Sequence, residues 1–80
     1  FIQITSGGWD DHQNIYTPNL LPNRMRTLDT AVAQLITDLK GNGLYEDTMI
    51  VMLGEFGRTV GPLSAQNGRD HFVQQFAFMA

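Results

Sequence analysis

The sequence predicts an α/β fold: a βαβ unit followed by a further strand. Three observations carry that prediction. A β-branched and aromatic run opens the chain, apolar residues 25 to 39 recur at steps of three and four, and residues 49–53 are apolar without alternation. Alternating strand and helix patterns of this kind indicate a parallel sheet with crossover helices.

The opening run, Phe1-Ile2-Gln3-Ile4-Thr5, has the composition of a strand, and Ser6-Gly7-Gly8 stops it in a tight turn. Residues 13–23 carry Pro18, Pro22 and three asparagines, a loop composition. Met25, Leu28, Val32, Leu35 and Leu39 then form the apolar stripe of one amphipathic helix. Asn23 is its expected N-cap and Gly41-Asn42-Gly43 its expected C-cap, with Lys40 placed against the negative end of the helix dipole. Met49-Ile50-Val51-Met52-Leu53 reads as a strand buried on both faces. A last strand is expected around residues 75–79. If the first two strands are parallel, the turns that follow them meet at one sheet edge, where open α/β sheets bind ligands.

The chain has 80 residues, a net charge of −3, five Lys and Arg residues and no cysteine. A chain of this length makes at most one small domain with a marginal core, burying about 60% of the surface its unfolded form exposes. Scattered cations leave no footprint for nucleic acid. The longest apolar runs fall far short of the roughly 20 residues that span a bilayer. Without cysteine there is neither a disulfide framework nor a thiolate metal site. The start at Phe1 and the apolar end, Phe76-Ala77-Phe78-Met79-Ala80, lead us to expect a piece of a longer protein, whose remainder is its first partner. Residues 1–80 alone are then expected to be poorly stable and inactive.

The chemistry concentrates in three glycine-flanked turns. Gly7-Gly8-Trp9-Asp10-Asp11-His12, Gly54-Glu55-Phe56-Gly57-Arg58 and Asn67-Gly68-Arg69-Asp70-His71 hold four of the eight acidic residues and both histidines. Carboxylate oxygen and imidazole nitrogen suit Zn²⁺ or Mn²⁺, and glycines allow sharp turns that converge side chains from distant segments. Asp10 and His12, one residue apart, would point to the same side of an extended stretch and grip one ion. Asp11 would point away, as a solvated loop carboxylate, and Trp9 would pack the loop. Glu55 is a ligand or general base, or else a carboxylate near a helix N-terminus. His71 coordinates while Asp70 orients it, or the reverse. Arg58 and Arg69 either fork onto the oxygens of a phosphate or sulfate ester or balance the acidic cluster. Neither Ser6 nor Ser64 sits in a nucleophile elbow, and no phosphate-cradling loop occurs.

Taken in order, Gly8-Trp9-Asp10-Asp11-His12, Asp47-Thr48, Gly54-Glu55-Phe56-Gly57-Arg58-Thr59 and Gly68-Arg69-Asp70-His71-Phe72 resemble the C-terminal part of the domain-of-unknown-function family numbered fifteen hundred and one. Its members are sulfatase-like proteins of the alkaline-phosphatase superfamily. The resemblance runs from the first residue to the last. It implies a partial doubly wound α/β sheet, a fragment of an alkaline-phosphatase-like fold, with residues 1–80 as the C-terminal portion of one domain. It further implies a divalent-metal centre, probed by small anionic ester substrates, in an exported bacterial protein. By position, Asp10 and His12 match the first Asp and His ligands of the superfamily, Glu55 the acidic ligand after the next strand, and His71 the late histidine ligand. Glu55-Phe56 stands where the superfamily has Asp-His, and the superfamily's nucleophile lies on an earlier strand, outside these residues. The function expected is therefore that of a fragment of a metal-dependent phosphate or sulfate ester hydrolase. The alternative is a non-catalytic, metal-stabilised or ligand-binding domain of the same fold.

Overall fold

The computed structural model of the chain describes residues 1–75 and 77–80. In chain order it contains helix α1 (Leu20–Gly41), a short 3-10 turn (Tyr45–Asp47), and strands β1 (Val51–Leu53), β2 (Gly57–Arg58), β3 (His71–Phe72) and β4 (Ala77–Met79).

Helix α1 forms where the three-and-four spacing predicts it, and it starts earlier than Asn23. Asn19 caps it in the left-handed region at φ 67°, with no side-chain cap bond, and Pro22 falls within the first turn, where its missing N–H costs nothing. Its C-terminus is a Schellman motif. The Gly43 N–H donates to Lys40 O (3.2 Å), the Leu44 N–H to Leu39 O (2.9 Å), and Gly43 takes φ 69°, which glycine adopts without a Cβ penalty. The half-buried stripe is Leu21, Arg24, Leu28, Val32, Ile36 and Leu39, so Met25 and Leu35 lie at its exposed margin.

The strands correct the expected topology. Residues 1–5 join no ladder, so no βαβ unit and no parallel pair exists among the described residues. Instead β1 pairs antiparallel with β4, Val51 opposite Met79 and Leu53 opposite Ala77, and β2 pairs antiparallel with β3, Gly57 opposite Phe72 and Arg58 opposite His71. The fold is thus mixed α and β, with two small antiparallel sheets. Strand β4 falls within the predicted 75–79, of which residue 76 lies outside the described residues. Met49, Val51 and Leu53 are exposed, because β1 has one neighbour and no helix lies over it. The apolar run is a strand, but it is not buried on both faces.

Burial is correspondingly slight. Ile15 is the one buried hydrophobic among the described residues, while Ile2, Ile4, Val60 and Val73 are each more than four-fifths exposed. The radius of gyration, 15.3 Å, exceeds the ~12 Å expected of a compact chain of this length. No helix among the described residues is long and apolar enough to cross a membrane.

What positions the chemistry is a backbone seam. The Asn14 and Ile15 N–H groups donate to Gln66 O and Asn67 O (both 2.9 Å), and the Arg69 N–H donates to Asp11 O (3.1 Å). These bonds lay the first chemical turn against the third. Gly68 is buried in the seam, and a Cβ there would sit 2.0 Å from the His12 carbonyl carbon and oxygen. The close approach therefore requires glycine at this position.

Candidate metal centre

The seam and the β2–β3 ladder bring Asp10, His12 and His71 together, across 61 positions of sequence between the first and the last. Three atoms form a nearly equilateral triangle. Asp10 Oδ1 lies 3.0 Å from His12 Nε2 and 3.0 Å from His71 Nε2, and the two nitrogens are 3.1 Å apart. The side chains stand open to solvent, at 68%, 42% and 48% exposure for Asp10, His12 and His71.

With both imidazoles neutral, the ring protons do not account for this triangle. The His12 Nδ1–H donates to Asp70 Oδ1 at 2.8 Å, a tautomer assigned from its partner, so the Nε2 of a neutral His12 is a bare lone pair. That lone pair faces both Asp10 Oδ1 and His71 Nε2. A single N–H on His71 satisfies one side of the triangle and leaves lone pairs opposed across another. A cation above the triangle satisfies all three atoms at once. The donors fit one: bonds of about 2.1 Å to points 3.0–3.1 Å apart subtend about 90° at the ion. Two imidazoles and one carboxylate disposed in this way occupy one face of a coordination sphere and leave the opposite positions open.

The surroundings tune the three donors. Arg58 Nη2 donates to Asp10 Oδ1 at 2.5 Å, and this bond first, then the one from His71, holds the Asp10 carboxyl well below the usual carboxylate range. Arg58 reaches Asp10 because β2 sets it opposite His71 in register. Its Nη1 also donates to Arg69 O at 2.8 Å. Arg69 in turn donates to Thr59 O (2.8 Å) and Gly61 O (3.1 Å), tying down the loop after β2. The ring of Phe56 packs on that of His71 with centroids 3.9 Å apart.

Of the predicted ligands, Asp10, His12 and His71 converge and Glu55 does not: it is exposed and outside the group of three. The middle turn reaches the centre through Phe56 and Arg58 instead. Asp11 is also placed differently from expectation. It is not a solvated carboxylate: its side chain is 11% exposed and pairs with Arg24 of α1. Alternation along the loop does turn it away from Asp10 and His12, and the direction it turns is toward the helix. Nothing local to the sequence marks Arg24 as its partner, because the pairing depends on where α1 begins. Ser64 is occupied in a turn, its Oγ accepting from the Gly68 N–H at 3.2 Å, and Ser6 accepts from the Trp9 indole N–H at 3.3 Å.

The family profile described as Protein of unknown function (DUF1501) matches residues 1–80. The chain belongs to this family. Among curated proteins and solved structures, none matches it significantly.

Proposed function

We propose that this DUF1501 chain supplies the Asp10, His12 and His71 face of a divalent-metal centre, Zn²⁺ or Mn²⁺, in a hydrolase of phosphate or sulfate esters. The single observation behind the reading is the triangle of one carboxylate oxygen and two imidazole nitrogens, all within 3.1 Å of one another. The resemblance of its motifs to the sulfatase-like, alkaline-phosphatase superfamily supplies the reaction class.

The residues divide the work in a way that suits such chemistry. Asp10 contributes the negative charge and stays ionised beside the Arg58 guanidinium. His12 and His71 contribute neutral nitrogens on one side, leaving the opposite side free for an ester oxygen. Arg58, next to the centre, is the cation that faces the anionic group of a substrate. Arg69 holds the loop that carries it. A divalent ion held by these donors supplies Lewis acidity toward the transferring group. The superfamily resemblance puts the nucleophile on an earlier strand, so the reading assigns none among residues 1–80.

The second reading, an ion held for structural reasons alone, is favoured by the small core: with Ile15 the one buried hydrophobic among the described residues, a metal joining residues 10–12 to residue 71 would staple two turns. One pair of measurements separates the readings. Metal content is determined on the purified protein, and turnover of nitrophenyl phosphate and nitrophenyl sulfate is followed with the longer protein containing this chain. Bound metal with turnover that His71→Ala abolishes supports the hydrolase. Bound metal without turnover supports the structural ion, and absence of metal at saturating Zn²⁺ and Mn²⁺ rejects both.

A further inference from the structure

Asp70 precedes His71 in the chain, yet its carboxylate serves the other histidine. Its Oδ1 lies 2.8 Å from His12 Nδ1, across 58 positions of sequence. We propose that Asp70 is the positioning residue of the centre: by accepting a hydrogen bond from the Nδ1–H of a neutral His12 it fixes the tautomer whose Nε2 lone pair faces the space between Asp10 Oδ1 and His71 Nε2. The consequence for ion binding rests on the metal-centre reading, and the tautomer itself does not.

The geometry supports this in three steps. A neutral imidazole carries one ring proton, and whichever nitrogen holds it cannot bind a cation. With the proton on Nε2, His12 would direct an N–H into the triangle, and the centre would close as a hydrogen-bonded cluster. In a neutral ring, a proton on Nδ1, toward Asp70 Oδ1 at 2.8 Å, leaves none on Nε2, which stands 3.0 Å from Asp10 Oδ1.

Asp70 is itself held in place. The Thr59 N–H donates to Asp70 O at 3.0 Å, and the Asp70 N–H donates to Thr59 Oγ1 at 3.3 Å, so both backbone groups are pinned to the residue that follows β2. The seam fixes the other partner. Arg69 N–H to Asp11 O and the Asn14 and Ile15 bonds hold the backbone on either side of His12. Two independently anchored segments thus meet at one hydrogen bond. At 62% exposure the Asp70 side chain keeps its second oxygen in water, so the bond adds little to stability. What it contributes is direction.

The same geometry explains why Asp70 is absent from the triangle. β3 begins at His71, and successive side chains of an extended strand point to opposite sides. His71 turns inward to Asp10 while Asp70 turns to the far edge of the His12 ring. The two carboxylates therefore flank the same imidazole, Asp10 Oδ1 3.0 Å from Nε2 and Asp70 Oδ1 2.8 Å from Nδ1.

The test reads the tautomer directly. Proton–nitrogen correlation spectra of the histidine rings are recorded on metal-free protein at pH about 8.5, where unperturbed imidazoles are neutral. The wild-type His12 ring should carry its proton on Nδ1. In Asp70→Ala it should shift toward Nε2, with His71 unchanged. A second arm measures Zn²⁺ affinity by chelator competition: Asp70→Ala and Asp70→Asn should weaken binding about 10- to 100-fold, the range typical of lost outer-shell partners, with Asp70→Glu recovering part. A wild-type His12 protonated on Nε2, or a tautomer indifferent to Asp70→Ala, overturns the proposal. The wild-type spectrum decides the matter even if a variant fails to fold. A tautomer that follows Asp70 in protein that binds no metal upholds the positioning role while removing the metal-centre reading.

Discussion

Arg24→Ala should cost more stability than Asp11→Ala, and the asymmetry follows from where the two charges sit. Asp11 is 11% exposed and Arg24 28%. Fully exposed ion pairs are worth about 0–1 kcal/mol, whereas breaking a buried one costs about 3–5 kcal/mol because the surviving charge is stranded. Removing Arg24 strands a short carboxylate that is only 11% exposed, next in sequence to Asp10, for a cost of about 2 kcal/mol. Removing Asp11 strands a guanidinium on a long flexible stem that can swing into solvent, for about 1 kcal/mol. The double variant should recover the difference, giving a coupling energy of roughly 1–2 kcal/mol. The assay is urea unfolding followed by far-ultraviolet circular dichroism, whose signal comes mainly from the 22 residues of α1. Because Asp11 lies between two proposed ligands, a loop released from the helix must be reordered when an ion binds. Zn²⁺ affinity in either single variant should therefore fall by up to about tenfold, the equivalent of 1.4 kcal/mol. Strict additivity in the cycle, or Asp11→Ala proving the costlier change, would refute the reasoning.

Gly68→Ala should be more damaging than either of these, since its Cβ would stand 2.0 Å from His12 backbone atoms and 2.4 Å from Gln13 N, whereas Gly7→Ala, with nothing within 4 Å, should unfold like wild type in the same urea assay. His71→Ala should weaken Zn²⁺ binding by more than the 10- to 100-fold of an outer-shell loss, and Glu55→Ala, outside the triangle, should leave chelator-competition curves within about twofold of wild type. Asp10 contributes to acid stability with a definite sign. Its folded-state carboxyl lies below its ordinary value of 3.8, chiefly through Arg58, so the contribution is complete above that pH and is lost as pH falls below it. Urea midpoints measured from pH 5 to pH 2 should fall less steeply in Asp10→Asn; an unchanged slope contradicts the Arg58–Asp10 coupling.

The elements written in local patterns were legible, and those that depend on distant partners were not. Helix α1 declared itself through the spacing of Leu28, Val32 and Leu39 and through Gly43, whose left-handed conformation closes the Schellman motif. Its beginning did not, because Asn19 caps it by backbone conformation without a side-chain bond. β1 and β4 carry apolar runs that identify strands, but an apolar run says nothing about the direction of its partner. Residues 1–5 show the limit most plainly. Phe1, Ile2 and Ile4 have strand propensity, and propensity in a strand is largely the energy of packing on neighbours. With no neighbour among the described residues, all three remain exposed.

The centre was legible in part for a reason the expected topology did not contain. Asp10, His12 and His71 were chosen as donors from residue type and spacing, with parallel strands expected to bring only the first two turns, those of Asp10, His12 and Glu55, to one edge. The structure delivers them by antiparallel register instead. Pairing of Arg58 with His71 sets the cation beside the last ligand, and the seam through Gly68 sets the first turn against the third. Donor chemistry is a property of side chains and survives a change of topology, whereas the identity of the residue that orients a donor is a property of register. That is why His71 could be read from the sequence and the partnership of Asp70 with His12 could not. It is also why Glu55 failed to follow its neighbours: in the step from Gly54 to β2 the inward positions fall to Phe56, stacked on His71, and to Arg58, bonded to Asp10. An acidic residue in a glycine-flanked turn becomes a ligand only if the ladder beside it turns that position inward, and here the ladder begins two residues too late.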